Sequence, residues 1–242
     1  MAHPIEQSSI DTKTRIMRSA EAVFAEKGFH EATVSEICEN AQANIAAVNY
    51  HFGTKSQLYE AVLRSSFEAA RRRFPTDGGL PDSASSEKRL EAFVRAMILR
   101  AFCPSNAGAF PRFIVHEMTN PTPMIDTVLH ELIHKEINVL KSIIQPLLPE
   151  NISSQRRRFF GFNIMAMVMY FSFNKVARER IMASRQLTPD QVQRLIRHIT
   201  LFILAGFQSA TQPLDENDAV TGISGPEGAV PGEECPGKER AS

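Results

Sequence analysis

The sequence predicts an all-α protein with a small N-terminal head and a larger C-terminal helical body. Strand-like alternation of apolar and polar residues is almost absent, whereas apolar residues recur at helical spacing as far as about residue 211. Helix-start signatures of the capping-box type begin at Thr33, Thr54 and Thr188. The stretch Pro75–Ser86 is rich in Pro, Gly, Asp and Ser, and this composition predicts a linker.

The head has a clear start or stop signal for each of its helices. Its four predicted helices cover 11–27, 33–40, 45–52 and 54–73. Gly28 follows the first helix and suits a left-handed stop, while Asn44 suits the N-cap of the short third helix. These signals predict a compact bundle of short helices ahead of the linker.

The body is predicted to contain five further helices. They run at about 87–102, 108–119, 122–148, 154–182 and 189–211. Pro123 and Pro189 occupy the favoured first helical position after a threonine. From Gln212 onward the chain carries Pro, Gly and Glu with little apolar content, so we expect a disordered tail.

Composition indicates a soluble protein without excluding a nucleic-acid ligand. Of the 242 residues, 43% are hydrophobic and 22% charged, and the net charge is zero. Residues 1–73 hold nine Lys or Arg and nine Asp or Glu, so DNA contact must depend on a local surface. Three cysteines form no disulfide framework, no signal peptide is evident, and the most apolar run, 159–173, is too short for a membrane span. We expect a cytoplasmic protein with no membrane partner.

The segment Thr33–Phe52 has the layout of a helix-turn-helix. Two short helices flank a tight turn at Ala41–Ala43, and in such motifs the second helix enters the major groove of DNA. Small side chains at Ala46 and Ala47 favour close approach to bases. The alternative is an ordinary helical hairpin, whose polar side chains would only be solvated.

The same segment resembles the DNA-binding head of the tetracycline-repressor (TetR) family. The resemblance rests on Thr33-Val-Ser-Glu-Ile-Cys-Glu-Asn-Ala, on Asn44-Ile-Ala-Ala-Val-Asn-Tyr-His-Phe52, and on Lys55 and Leu58. The Asn-Tyr-His-Phe version is similar to a subgroup that includes the CecR-like regulators, as is the stretch Glu117–Pro123.

That resemblance implies a set of DNA-binding residues. They are Thr33, Asn44, Ile45, Ala46, Ala47, Asn49, Tyr50, His51 and Lys55. It implies that Thr33, Tyr50 and His51 contact phosphates and that Lys55 lies near the DNA backbone. The sequence departs from the common pattern where Gln42 and Ala46 stand in place of Gly and Asn49 in place of Tyr. These departures concern the base readout rather than the head itself.

Two stretches of the body, 159–173 and 199–207, are apolar on nearly every helical face. Such helices need burial on two sides, and a second copy of the chain is the economical partner. The resemblance likewise implies a four-helix dimer interface formed by the last two helices. We predict that the interface includes Phe160, Met167, Phe171, Leu201, Leu204 and Phe207.

A helical body rich in Phe and Met also suits a pliable cavity for a small, largely apolar effector. The alternative for each single residue is plain core packing, because apolar helical stripes usually belong to a core. The predicted lining residues are Phe102, Phe110, Phe113, His116, Met165, Met169 and Tyr170. The predicted polar anchors are Arg112, Asn163 and Asn174.

The segment His130-Glu-Leu-Ile-His134 matches the zinc-hydrolase signature, with Glu131 in the place of the general base. Both histidines lie on the polar side of the predicted helix, and no strong third ligand follows. The segment therefore also fits a solvated face on which Glu131 pairs with Lys135. We expect no metal site, no cofactor and no enzymatic activity.

Together these features predict a DNA-binding transcriptional regulator, a ligand-responsive repressor that binds palindromic double-stranded operator DNA as a homodimer. An architectural DNA-binding protein without an effector is the alternative, but it would not need the long apolar body. The predicted organisation is a flexible N-terminus at 1–10, the DNA-binding domain at 11–60, the effector-binding and dimerisation domain at 61–211, and the disordered tail at 212–242.

Overall fold

A computed structural model describes residues 4–81, 83–102, 109–173, 180 and 187–211. Within these ranges the chain forms helices and turns and no β-strand, which confirms the all-α prediction. The helices are α1 (Pro4–Glu31), α2 (Val34–Ala41), α3 (Ile45–Phe52), α4 (Lys55–Arg73), α5 (Ser86–Phe102), α6 (Ala109–Thr119), α7 (Pro123–Ile144), α8 (Ser154–Phe173) and α9 (Pro189–Gln208). The tail predicted at 212–242 lies outside the described residues.

Helix α1 is longer than predicted at both ends. It begins at Pro4 rather than near Asp11, since proline is preorganised for the first turn of a helix. Gly28 has a positive φ of 72°, as a left-handed stop requires, but a further turn continues to Glu31. A side chain at Gly28 would place its Cβ 2.9 Å from the Nδ1 atom of His116, so α6 approaches α1 closely at this point.

The helix caps follow the sequence signals with one difference. Thr54 and Thr188 each form a complete capping box with the glutamine three residues later. The Thr33 side chain accepts a hydrogen bond from the backbone N–H of Glu36 at 3.2 Å. The Glu36 carboxylate does not complete that box in the predicted way, because it pairs with the Lys27 ammonium at 2.6 Å.

Helices α7 and α9 lie close to their predicted limits, and α8 begins at the predicted residue, Ser154. Helix α7 ends at Ile144 and continues as the 3₁₀ turn Gln145–Leu147, since Pro146 lacks the N–H that an α-helix needs. Helix α9 passes into a second 3₁₀ turn, Ser209–Thr211. Residues 174–179, within the predicted eighth helix, lie outside the described residues. Among the described helices, none combines the length and apolarity that a membrane span requires.

Two hydrophobic cores organise the chain. The head core contains residues of α1, α2, α3, α4 and α6, together with Val128 of α7. The body core joins α5, α7, α8 and α9. The head core extends along α4 as far as Ala70, so α4 and α6 together form the seam between head and body.

A buried ion pair lies where α4 ends against α5 and α7. The Arg100 Nη1 atom donates to Glu136 Oε1 at 3.2 Å, and both side chains are less than 5% exposed. Arg100 Nε also donates to the carbonyl oxygen of Phe74 at 3.0 Å, just beyond α4. Burial is the main cause that lowers the pKa of Arg100, and the nearby Glu136 opposes it. The pair fixes the C-terminal end of α4 to the body.

Candidate nucleic-acid interface

The turn between α2 and α3 sets the direction of the candidate recognition helix. Gln42 adopts the left-handed conformation, with φ 50° and ψ 47°, at the position where the sequence departs from glycine. This conformation costs a residue with a side chain about 1 kcal/mol or more. The Arg15 guanidinium offsets that cost, since it donates to the carbonyl oxygens of Ala41 at 3.0 Å and Gln42 at 3.5 Å. Sequence analysis did not single out Arg15, because the contact spans 26 residues.

Helix α3 begins at a cap that the sequence predicts. The Asn44 side-chain oxygen accepts from the backbone N–H of Ala47 at 2.8 Å. Val48 is fully buried in the head core, and Ala47 and Phe52 pack against that core. These contacts fix the inner face of the helix, so its outer face points away from the head.

The outer face of α3 carries the residues predicted to read DNA. Ala46 and Asn49 are exposed, Ile45 is 52% exposed and Tyr50 is 83% exposed. His51 lies at the edge of this face, half-buried, with its ring centroid 5.0 Å from that of Tyr50. The structure therefore brings the predicted α3 residues together on one accessible surface, except for Ala47, which packs against the head core.

Lys55 lies beside this surface at the first turn of α4. Its ammonium is 4.6 Å from the centroid of the Phe29 ring and 3.5 Å from the carbonyl oxygen of His30. Burial lowers the pKa of Lys55. Thr33, at the start of α2, is exposed although its hydroxyl caps the helix. Thr33 and Lys55 therefore flank α3, at the starts of the helices before and after it.

A buried hydrogen-bond network joins the head to α6. The Tyr59 hydroxyl donates to Glu117 Oε1 at 2.5 Å, and the backbone N–H of Thr122 donates to Glu117 Oε2 at 2.8 Å. The Thr122 hydroxyl also donates to Glu117 Oε1, at 3.0 Å. Burial, followed by the hydrogen bond to Glu117, raises the pKa of Tyr59. We call Tyr59, Glu117 and Thr122 the junction. Glu117 and Thr122 lie in the Glu117–Pro123 segment that the sequence analysis noted, whereas no sequence pattern indicated Tyr59.

The structure places three of the predicted effector-pocket residues between α6 and the head. Phe110 and Phe113 belong to the head core, where their rings lie 5.1 Å from Phe67 and 5.8 Å from Tyr59. His116 lies against α1, with Nε2 3.3 Å from the carbonyl oxygen of Ala25. These three predicted lining residues therefore build the seam, because α6 packs on the head.

The other predicted pocket residues with described side chains lie on α6 and α8. Arg112, Asn163 and Tyr170 are exposed, and Met165 and Met169 are half-buried on α8. The side chains of Phe102 and Asn174 lie outside the described residues. A cavity of about 270 Å³ opens between α1 and α4, and its lining includes Lys13, Met17, Arg18 and Val62, none of which was predicted.

The predicted dimer-interface residues differ in their exposure within a single chain. Phe207 is 7% exposed and its ring stacks on Phe160 at 5.3 Å, so this pair belongs to the body core. Met167 and Leu204 pack against the same core, and the side chain of Phe171 lies outside the described residues. Leu201 alone of the described predicted set is exposed. The periodicity could not decide which side of a uniformly apolar helix faces inward.

The outward sides of α8 and α9 nevertheless carry large apolar residues. The exposed ones are Phe159, Phe162, Tyr170, Leu201 and Phe202. Ile164 and Val168 of α8 are buried on the opposite side. Helix α8 thus has apolar side chains on two faces, as the sequence predicts, and one of them is open in a single chain.

The zinc-hydrolase signature lies on α7 without a described metal site. Glu131, in the place of the general base, forms an ion pair with Arg64 of α4, a partner that the sequence analysis did not predict. His134 is exposed, and the side chain of His130 lies outside the described residues. In the part of the chain that the structure describes, no group of three or more His, Cys, Asp or Glu side chains is placed to hold a metal ion.

Comparisons with known proteins cover both parts of the chain. Residues 16–62 match the profile described as bacterial regulatory proteins, tetR family. Residues 86–207 match the C-terminal domain of the HTH-type transcriptional dual regulator CecR. The probable HTH-type transcriptional regulator YttP of Bacillus subtilis is 26% identical over 136 residues, 56% of this chain and 64% of YttP. The chain therefore spans just under two thirds of that relative.

Two solved structures share the fold. The transcriptional regulator FadR from Bacillus subtilis, in complex with stearoyl-CoA, gives a TM-score of 0.61 at 16% identity, covering 80% of this chain and 98% of FadR. AibR, in complex with isovaleryl coenzyme A and operator DNA, gives 0.60 at 15% identity, covering 79% of this chain and 97% of AibR. At such identities the likeness shows the fold alone.

Proposed function

The chain belongs to the TetR family of transcriptional regulators and carries a CecR-type C-terminal domain, and on that premise we propose that it is a ligand-responsive repressor that binds a palindromic operator as a homodimer. The observation that carries the proposal is the outer face of α3, where Ala46, Asn49 and Tyr50 are exposed while Val48 holds the helix to the head. A helix presented in this way suits insertion into the major groove.

The residues of the Asn-Tyr-His-Phe segment have different roles in DNA binding. Asn49 lies near the middle of the exposed face, where its amide can bond bidentately to adenine. Tyr50 and His51 lie toward the edge, where their donors meet phosphates and fix the register of the head. Phe52 packs against the head core, so it supports the helix and reads nothing.

The homodimer forms through the open apolar sides of α8 and α9. Phe162 and Phe202 are 70% and 61% exposed, and Leu201 lies beside Phe202. Large exposed apolar patches mark protein interfaces in soluble proteins. A two-fold axis through this surface gives two heads, which matches a palindrome with two half-sites.

The effector is a small, largely apolar molecule held in the body near α8. Met165 and Met169 are half-buried there, and methionine adapts to ligands of varied shape. The structures of FadR and AibR with acyl-coenzyme A ligands support an apolar acyl group as one class, since the same fold holds it in those proteins. The ligand weakens DNA binding when it prefers the dimer whose heads are wrongly spaced.

The seam between head and body transmits that preference. Helix α6 packs against both α1 and α4, and the junction ties its end to Tyr59 of α4. The Arg100–Glu136 pair ties the other end of α4 to the body. A shift of the body helices therefore moves α4 and, with it, the head.

We also propose that the chain has no catalytic activity. Glu131 is already paired with Arg64, so it is poorly placed to act as a general base. Stoichiometric zinc that survives dialysis of the wild-type chain and is lost from the His130→Ala, His134→Ala variant would contradict this.

The proposal is tested by selecting binding sites from a random duplex library with the full-length chain. We expect a palindromic site that binds two chains, as measured by sedimentation of the complex. Recovery of no enriched site, or of a site that binds one chain without symmetry, contradicts the repressor proposal. A panel of acyl-coenzyme A compounds and free fatty acids, added to the selected complex, then tests release.

A further inference from the structure

We propose that Ile45 is a specificity-determining residue that reads the methyl group of a thymine in each operator half-site. This inference rests on the proposed function, because it requires that α3 enters the major groove. It adds an apolar contact to a surface otherwise described by hydrogen-bond donors. The observations that carry it are the exposure of Ile45, its place at the helix start and its chemistry.

The exposure of Ile45 stands out within the head. Across residues 11–73, the exposed large apolar or aromatic side chains are Ile45 and Tyr50, and both lie on α3. Ile45 belongs neither to the head core nor to the residues packed against it. Its side chain has no polar atom, so its exposure gains no hydrogen bond with water. Ile45 is therefore the one large aliphatic side chain exposed across residues 11–73, and it lies on the candidate recognition helix.

The position of Ile45 suits contact with a base. It is the first residue of α3, directly after the Asn44 cap. In helix-turn-helix proteins the N-terminal residues of the recognition helix reach the base edges. Ile45 and Asn49 are four residues apart, so they lie on the same side of the helix one turn from each other. Ala46 beside them has a small side chain that leaves the helix free to approach.

The chemistry of Ile45 narrows its target to one group. Every base edge in the major groove offers donors or acceptors, which an aliphatic side chain cannot satisfy. The exception among the four bases is the C5 methyl group of thymine. Isoleucine is also restricted at χ1, so it presents its methyl groups with little loss of rotamer freedom. Contact with that methyl group is the base-specific interaction open to Ile45.

The test removes only the methyl group. Duplexes carrying the selected operator are made with each thymine replaced in turn by uracil, and binding of the full-length chain is measured by fluorescence anisotropy. One buried methyl group corresponds to about fourfold in affinity. We expect about fourfold weaker binding at one thymine position in a half-site, and about sixteenfold when both half-sites are changed.

The variant Ile45→Ala assigns the effect to this side chain. It is expected to bind the thymine operator more weakly and to bind the thymine and uracil duplexes equally. Val115→Ala, a truncation of an exposed aliphatic residue on α6, is the matched control and keeps the discrimination of the wild type. Circular dichroism checks the helical content of both variants.

The possible failures are distinguishable. A wild-type chain that selects no DNA site contradicts the proposed function and this inference together. A wild-type chain that binds its operator but tolerates uracil at every position overturns the inference and leaves the proposed function standing. Persistence of the uracil effect in Ile45→Ala also overturns it, since another residue would then contact the methyl group.

Discussion

The junction between the head and α6 is expected to weaken measurably when one hydroxyl group is removed. Tyr59→Phe keeps the ring, whose centroid lies 5.0 Å from Phe24 and 5.8 Å from Phe113 in edge contacts. It removes the hydrogen bond that the hydroxyl donates to Glu117 at 2.5 Å. The variant therefore tests the polar contact and leaves the apolar packing in place.

The size of the effect follows from the burial of both partners. Tyr59 is fully buried and Glu117 is 5% exposed, so water does not replace the lost bond. A hydrogen bond to a charged group contributes about 1.5–3 kcal/mol, and Thr122 continues to donate to the carboxylate. We expect the free energy of unfolding to fall by about 2 kcal/mol.

Urea denaturation followed by circular dichroism measures this change. Tyr50→Phe is the matched control, because it deletes the same atom from a side chain that is 83% exposed; we expect a change within about 0.5 kcal/mol there. Folding raises the pKa of Tyr59 above its ordinary value of 10.0. The stabilisation that the protonated hydroxyl gives to the folded chain is therefore fully present below pH 10.0 and is lost as the pH rises toward the folded-state pKa. Equal stability of Tyr59→Phe and Tyr50→Phe would refute the role of the junction.

Three further changes test other parts of the structure. Glu136→Gln leaves the buried Arg100 without its counter-charge and should cost about 3–5 kcal/mol in urea denaturation; a loss below 1 kcal/mol argues against the pair. Leu201→Asp combined with Phe202→Asp should give a folded monomer or aggregates by sedimentation, and an intact dimer would exclude this surface. Asn44→Ala should cost about 1 kcal/mol through loss of the α3 cap, whereas Asn44→Asp should cost little.

Features that depend on neighbouring residues could be predicted from the sequence. The caps at Asn44, Thr54 and Thr188 each involve a partner three residues away, so the pattern contains the whole interaction. The family resemblance marks the position of Gln42 as one usually held by Gly, and Gln42 is left-handed there. The same locality explains why the candidate DNA-binding face could be assembled from one short segment.

Features that depend on tertiary packing could not be predicted in this way. The pattern around Phe113 fits either an effector cavity or a core, and the pattern around Phe207 fits either a dimer interface or a core. In the structure, α6 packs on α1 and α4, and Phe207 stacks on Phe160. Tyr59 escaped prediction since its partner Glu117 lies 58 residues away. Long-range pairing of this kind leaves no trace in local periodicity.

The measurement that tests the account most directly compares Asn49→Ala with Lys55→Ala across a library of single-base variants of the selected operator. Asn49 lies exposed on α3, so its loss should relax preference at one base pair in each half-site, by about 1–3 kcal/mol. Lys55 lies beside that face at the start of α4, so its loss should weaken all sequences equally and flatten the dependence on salt. Uniform weakening by Asn49→Ala, together with altered base preference in Lys55→Ala, would contradict the assignment of α3 as the reading helix.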